Sequence, residues 1–157
     1  MGYDVEEGYA CPEAIIIRGG RSIESNPLFI EGAITVQDES AMLVAPLLDL
    51  EENDTVLDLC AAPGGKTTHI AEVLEGKGKV YGFDLHENKL SLIKDNAERL
   101  GLNNIEVKEM DATKMDSLYV SSADKVLIDV PCSGIGIIRK KPEIKWNKTR
   151  KSLKELI

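Results

Sequence analysis

From Thr55 onward the chain alternates short apolar runs with amphipathic stretches, and this alternation limits the possible folds more than any other feature. Thr55 to Leu59 (TVLDL) reads as a strand. Lys66 to Leu74 reads as a helix with Ile70, Ala71, Val73 and Leu74 on its apolar side. Lys79 to Phe83 is a second strand. Asn88 to Leu100 is a second helix, with Leu90, Leu92, Ile93, Ala97 and Leu100 apolar and Gly101 as its stop signal. Ile105 to Met110 and Lys125 to Val130 supply a third and a fourth strand. Strands this apolar, separated by helices, need cover on their faces, so the expected class is α/β with a parallel sheet.

The region before this alternation is less regular. Ala14 to Ile17 is expected as a strand, with turns at Arg18-Gly19-Gly20 and Asn26-Pro27. Residues 1–37 hold too few apolar side chains for a core of their own and read as an irregular approach segment, so residues 38–157 form the main body. Asp38 to Leu50 is expected as a helix that bends at Pro46, capped by Asp38 or Ser40. Val126 to Val130 is apolar enough for a central strand, and such a strand left at an open edge invites aggregation. Thr149 to Ile157 reads as a helix in which the sequence stops. The expectation is therefore a fragment of a longer protein, carrying only the first four strands of its sheet.

A length of 157 residues, 43% hydrophobic, suits one soluble domain. No apolar run approaches the ~18 residues of a membrane span, and the acidic start does not resemble a secretory signal, so a cytoplasmic protein without membrane contact is expected. Three widely spaced cysteines and two histidines give neither a disulfide framework nor a metal site. The net charge of −8 argues against nucleic acid until its distribution is considered. Residues 139–157 carry eight basic side chains against Glu143 and Glu155, a net of +6, and Trp146 lies among them. Arg139, Lys140, Lys141, Lys145 and Trp146 are the candidates for phosphate contact and base stacking, although a solvated basic surface has the same composition.

The segment Asp58-Leu59-Cys60-Ala61-Ala62-Pro63-Gly64-Gly65-Lys66-Thr67 runs from a strand through a glycine turn into a helix. Small residues there let a ligand approach the backbone, and the free N–H groups of the helix start favour polar or anionic groups. A phosphate loop would match Gly65-Lys66-Thr67 but needs a glycine where Cys60 stands, with Asp129 as a possible second ATPase motif. A dinucleotide loop of the G-x-G-x-x-G type is absent. S-adenosylmethionine is the third reading. It uses Asp84, about 20 residues beyond the turn, for the ribose hydroxyls, Asp111 for the adenine amino group and Asp129 after the fourth strand. Each aspartate alone could be a simple cap, but all three lie where open α/β sheets place ligands. Lys66 could hold the cofactor carboxylate or Asp129. His69 and His86 are expected at the surface.

The stretch Val56 to Glu72, joined to Asp129-Val130-Pro131-Cys132-Ser133-Gly134 and to Arg139-Lys140-Lys141-Pro142-Glu143 with Trp146, resembles the RNA cytosine-5 methyltransferases of the Sun and nucleolar-protein family. Gly32 to Asp38 is similar to the approach segment of bacterial members that act on small-subunit ribosomal RNA. The resemblance implies a Rossmann-like methyltransferase sheet, with Cys60, Ala61, Ala62, Pro63, Gly64, Gly65 and Lys66 around the methionine end of S-adenosylmethionine. It implies Asp84 at the ribose, Asp111 at the adenine, Asp129 near the methyl donor and target base, and RNA as partner, ribosomal before transfer.

Cytosine C5 is a poor nucleophile, so a thiolate adds at C6, C5 takes the methyl, and the C5 proton and the thiol then leave. Bottom-up, Cys132 in its polar, glycine-flanked loop is the natural candidate for that thiolate. The resemblance instead gives the Pro-Cys cysteine a role in product release and places the nucleophile in a Thr-Cys segment, which this sequence does not contain. Two other readings remain at this stage: an ATPase fragment built on Gly65-Lys66-Thr67, and a non-catalytic RNA-binding module built on the basic end.

Overall fold

The structure is a computed structural model that describes residues 2–114, 116–149 and 151. Its centre is a four-stranded parallel sheet of β3 (Thr55–Asp58), β4 (Lys79–Asp84), β5 (Ile105–Glu109) and β6 (Lys125–Leu127). The spatial order is β5-β4-β3-β6, with Val56 level with Val80 and with Lys125, and Val80 level with Ile105. The strand order reverses between β3 and β6, which makes the carboxyl end of β3 the switch point where such sheets bind ligands.

Helices α4 (Gly65–Val73) and α5 (Glu87–Arg99) connect the first three of these strands. Ile70, Ala71 and Leu74 of α4 and its end pack on Val56 and Val80, with Leu102, Ile105 and Leu127 at the margin. Leu90 and Ile93 of α5 pack with Ala61 and Val107. Ile70, Ile93, Val56, Val80 and Phe83 are the largest apolar side chains fully removed from solvent, each worth about 1.5–3 kcal/mol of burial. On the opposite face Tyr81 and Phe83 meet Tyr119 edge-on, at ring separations of 5.8 and 4.9 Å.

The approach region is more ordered than its sequence suggests. β1 (Tyr3–Glu7) pairs antiparallel with β2 (Ile15–Gly19), Val5 opposite Ile17. The partner strand escaped sequence reading because YDVEE is acidic and exposed along most of its length. A short helix α1 (Pro27–Ile30) follows, capped by the Asn26 side chain on Leu28 N–H at 2.9 Å.

Three expectations change. The helix expected over residues 38–50 is two short ones, α2 (Glu39–Met42) and α3 (Val44–Leu47), because Pro46 has no N–H to donate to the Met42 carbonyl. The fourth strand spans three residues rather than six. It also closes the described sheet at an edge, leaving Val126, Ile128 and Val130 about half exposed. His69 is buried rather than superficial: its Nε2 lies 3.4 Å from Glu13 of the approach segment. The helix expected over residues 149–157 falls almost wholly outside the described residues, and a short helix α6 (Ile144–Asn147) precedes it.

Candidate active site

The loop from Cys60 to Lys66 begins as an extension of the sheet. Leu59 N–H donates to Leu127 O at 3.0 Å, and Ala61 N–H to Phe83 O at 2.7 Å, so the loop leaves the carboxyl end of β3 already aligned with its neighbours. Gly64 then turns the chain into α4 with φ 109°, and a β-carbon there would sit 3.1 Å from the backbone of Ile93. Only glycine combines that conformation with that closeness to α5.

Asp58 is the residue that sequence reasoning passed over. It is 1% exposed. Its carboxylate accepts from Thr67 Oγ1 at 2.7 Å and from Cys60 N–H at 3.3 Å, so one side chain joins both ends of the loop. Burial pushes its pKa up, against the pull of the Thr67 and Cys60 hydrogen bonds. A lone aspartate inside a strand gives no sequence signal for a bond to a helix nine residues later.

Asp84, at the end of β4, is buried, and its Oδ1 accepts from His86 N–H at 3.0 Å and faces Lys89 Nζ at 3.7 Å. Its Oδ2 has no hydrogen bond among the described residues, so one oxygen is available to hydroxyl donors. Asp111 follows β5 and caps its own turn: Oδ1 accepts from Thr113 Oγ1 at 2.6 Å and Thr113 N–H at 3.0 Å, and Oδ2 pairs with Lys114 at 3.1 Å. The Thr113 hydroxyl and amide, helped by Lys114, bring its pKa down to about 2. Asp129, beyond β6, holds Lys66 Nζ at 2.6 Å, which joins the loop to the segment carrying Pro131-Cys132.

Three of these carboxylates, Asp58, Asp84 and Asp129, act electrostatically on Cys60. Its thiol pKa is raised by burial first and then by Asp58, Asp84 and Asp129, which keeps it protonated at neutral pH. Cys132 is exposed, with Gly134 N–H directed at its sulfur over 3.4 Å. Arg139, Lys140, Lys141, Lys145 and Trp146 are all exposed, Trp146 at 84%; Lys140 contacts Asp38 of the approach segment. A cavity of about 480 Å³ lies elsewhere, between β2 and residues 34–39. The strand ends, with their polar groups, are the candidate site, whereas that cavity is lined mainly by apolar side chains of the approach region. Among the described residues no cluster of three or more His, Cys, Asp or Glu side chains is arranged to hold a metal ion, and no helix is long and apolar enough to cross a membrane.

A parallel sheet with this strand order, a glycine turn after its first strand and acidic residues at successive strand ends is the Rossmann-like arrangement of the S-adenosylmethionine-dependent methyltransferases. The sequence model of the 16S rRNA methyltransferase RsmB/F family matches residues 45–157, and the chain belongs to that family. It is 46% identical over 148 residues to a probable ribosomal RNA small subunit methyltransferase B of Bacillus subtilis (strain 168), covering 94% of this chain and 33% of that protein. A ribosomal RNA small subunit methyltransferase B of Enterobacter sp. (strain 638) is 41% identical, with 94% and 34% covered. The chain thus spans about a third of the length of the curated relatives it matches. Among solved structures, PH0851 superposes with a TM-score of 0.91 at 36% identity, over 99% of this chain and 35% of that one. NSun6 from Pyrococcus horikoshii with SFG gives 0.73 at 34%, over 87% and 34%.

Proposed function

We propose that this chain is the cofactor-holding part of an enzyme that transfers a methyl group from S-adenosylmethionine to C5 of a cytosine in small-subunit ribosomal RNA, working in the cytoplasm. The observation that carries the reading is the placement of the Cys60–Lys66 loop, Asp84, Asp111 and Asp129 at or just beyond the carboxyl ends of β3 to β6, with Lys66 paired to Asp129. The names of the bacterial relatives supply the substrate class. Residues 1–37 act as an approach segment and 38–157 as the first part of the catalytic domain.

The donor set fits the cofactor. Asp84 and Asp129 flank the loop with carboxylates, a donor set that suits a sulfonium and an ammonium better than a triphosphate. Lys66, the residue a phosphate loop would need free, is engaged by Asp129. S-adenosylmethionine supplies an electrophilic methyl group when bound. Around it Asp84 Oδ2 would accept from the ribose and Asp111 from the adenine amino group, and the N–H groups of Ala62, Gly64, Gly65 and Lys66 would meet the methionine end, those of Cys60 and Ala61 being engaged by Asp58 and Phe83. Asp129, oriented by Lys66, faces the reacting region, and Cys132 acts in product release. Arg139, Lys140, Lys141 and Lys145 contact RNA phosphates, and Trp146 stacks on a base.

The test is a competition titration on folded protein followed by a transfer assay. S-adenosylmethionine should bind and magnesium-ATP should not displace it. The 157-residue chain, with no Thr-Cys pair, should give no turnover on unmodified ribosomal RNA. Preferential ATP binding would overturn the cofactor assignment, and turnover by this chain alone would make Cys132 the nucleophile.

A further inference from the structure

Two side chains on α5 connect regions that the family comparison treats separately. Arg99 reaches back to the approach segment: its Nη1 donates to Phe29 O at 2.8 Å and Ile34 O at 3.0 Å, and its Nη2 to Thr35 Oγ1 at 3.1 Å. The guanidinium also lies 3.9 Å over the Phe29 ring. One turn earlier, Asn96 Oδ1 accepts from Arg99 Nη2 at 3.5 Å, and Asn96 Nδ2 donates to Pro63 O at 3.2 Å. Pro63 lies in the middle of the cofactor loop. A continuous polar chain therefore runs from residues 29–35, which precede the family match at residue 45, through Arg99 and Asn96 to the loop. Gly32 makes the docking possible, since a β-carbon there would stand 2.0 Å from Arg99 O.

We propose that Arg99 and Asn96 form a positioning relay through which the docked approach segment fixes the cofactor loop, so that cofactor affinity depends on residues that never touch the cofactor. The physical reasons are directional. Arg99 is a planar fork with its donors committed to fixed backbone carbonyls, so it has one orientation while residues 29–35 are in place. In that orientation it presents Nη2 to Asn96 Oδ1, which sets which face of the Asn96 amide is turned to Pro63. The Pro63 carbonyl has no other hydrogen-bond partner among the described residues, so this bond adds a directional restraint to the packing of Ala61, Ala62 and Gly64 against Leu90 and Ile93 of α5. The proposal deepens the cofactor reading above and rests on it for the affinity readout.

The experiment separates the links by substitution. Asn96→Asp keeps the acceptor for Arg99 and removes the donor to Pro63. Arg99→Lys keeps the charge and loses the fork. Calorimetry with S-adenosylmethionine should show about five-fold weaker binding for Asn96→Asp, the size of one lost hydrogen bond. Arg99→Lys should weaken binding about three-fold in the native background and have no further effect in Asn96→Asp, the non-additivity that marks a shared route. Hydrogen exchange in the absence of cofactor should show faster exchange of the Gly64 to Lys66 amides in both single variants. Effects on affinity that simply multiply, or unchanged loop exchange in Asn96→Asp, would overturn the relay. Failure of the native chain to bind S-adenosylmethionine would count against the cofactor reading instead, and the exchange data would then judge the relay alone.

Discussion

β3 and β6 lie side by side in one parallel sheet, yet their surroundings are opposite. In β3, Val56, Leu57 and Asp58 are between 0 and 5% exposed, and the loop that follows is tied by Asp58, Thr67, Ala61 and Asn96. In β6, Val126 is 49% exposed, and the segment beyond it is joined to the body by Lys66 with Asp129 and Lys140 with Asp38, both pairs partly or largely in solvent. The loop after β3 is thus tied by hydrogen bonds, that between Thr67 and Asp58 fully buried, whereas the segment after β6 is held by surface charge. Buried bonds are costly to break and insensitive to salt; exposed ion pairs are worth little and are screened.

Substitutions can break this contrast. Asp58→Ala leaves the buried Thr67 hydroxyl and the Cys60 amide without their acceptor and should destabilise the fold by about 2–4 kcal/mol, measured by urea unfolding. Gly64→Ala forces a side chain into positive φ against Ile93 and should cost about 1–2 kcal/mol, with weaker cofactor binding in the same titration. Asp129→Asn, just beyond the other strand, should change unfolding free energy by less than about 1 kcal/mol; a loss as large as that from Asp58→Ala would remove the contrast.

Acid gives the smallest effect. Because the folded pKa of Asp111 is depressed to about 2, its turn contacts contribute fully above the ordinary carboxylate range near pH 4 and fade as the pH falls toward 2. A carboxyl NMR titration should place its midpoint close to the lower value. A midpoint near 4 would mean that the Thr113 and Lys114 contacts are absent in solution.

The central strands and α4 and α5 were legible because burial on one or both faces imposes a period on the sequence. The placement of Asp84, Asp111 and Asp129 at or just beyond strand ends was legible because strand ends are a fixed address in such sheets. What stayed hidden depends on partners distant in sequence. Asp58 needs Thr67, His69 is covered by Glu13, and Asn96 matters only because Pro63 lies across from it. The first strand of the hairpin was hidden for another reason: it buries almost nothing, so no periodic signal arises. The split of residues 38–50 was half visible, since Pro46 marked the place but not the consequence.

Gly32 sets a limit on how this sequence can drift. With φ at 76° and the carbonyl of Arg99 occupying the space of any β-carbon, the position excludes nineteen residue types by contact alone, far from the strand ends. Selection acting on the strand ends would then be recorded at a site with no chemistry of its own, and a saturation library at that codon would report on the seating of the approach segment.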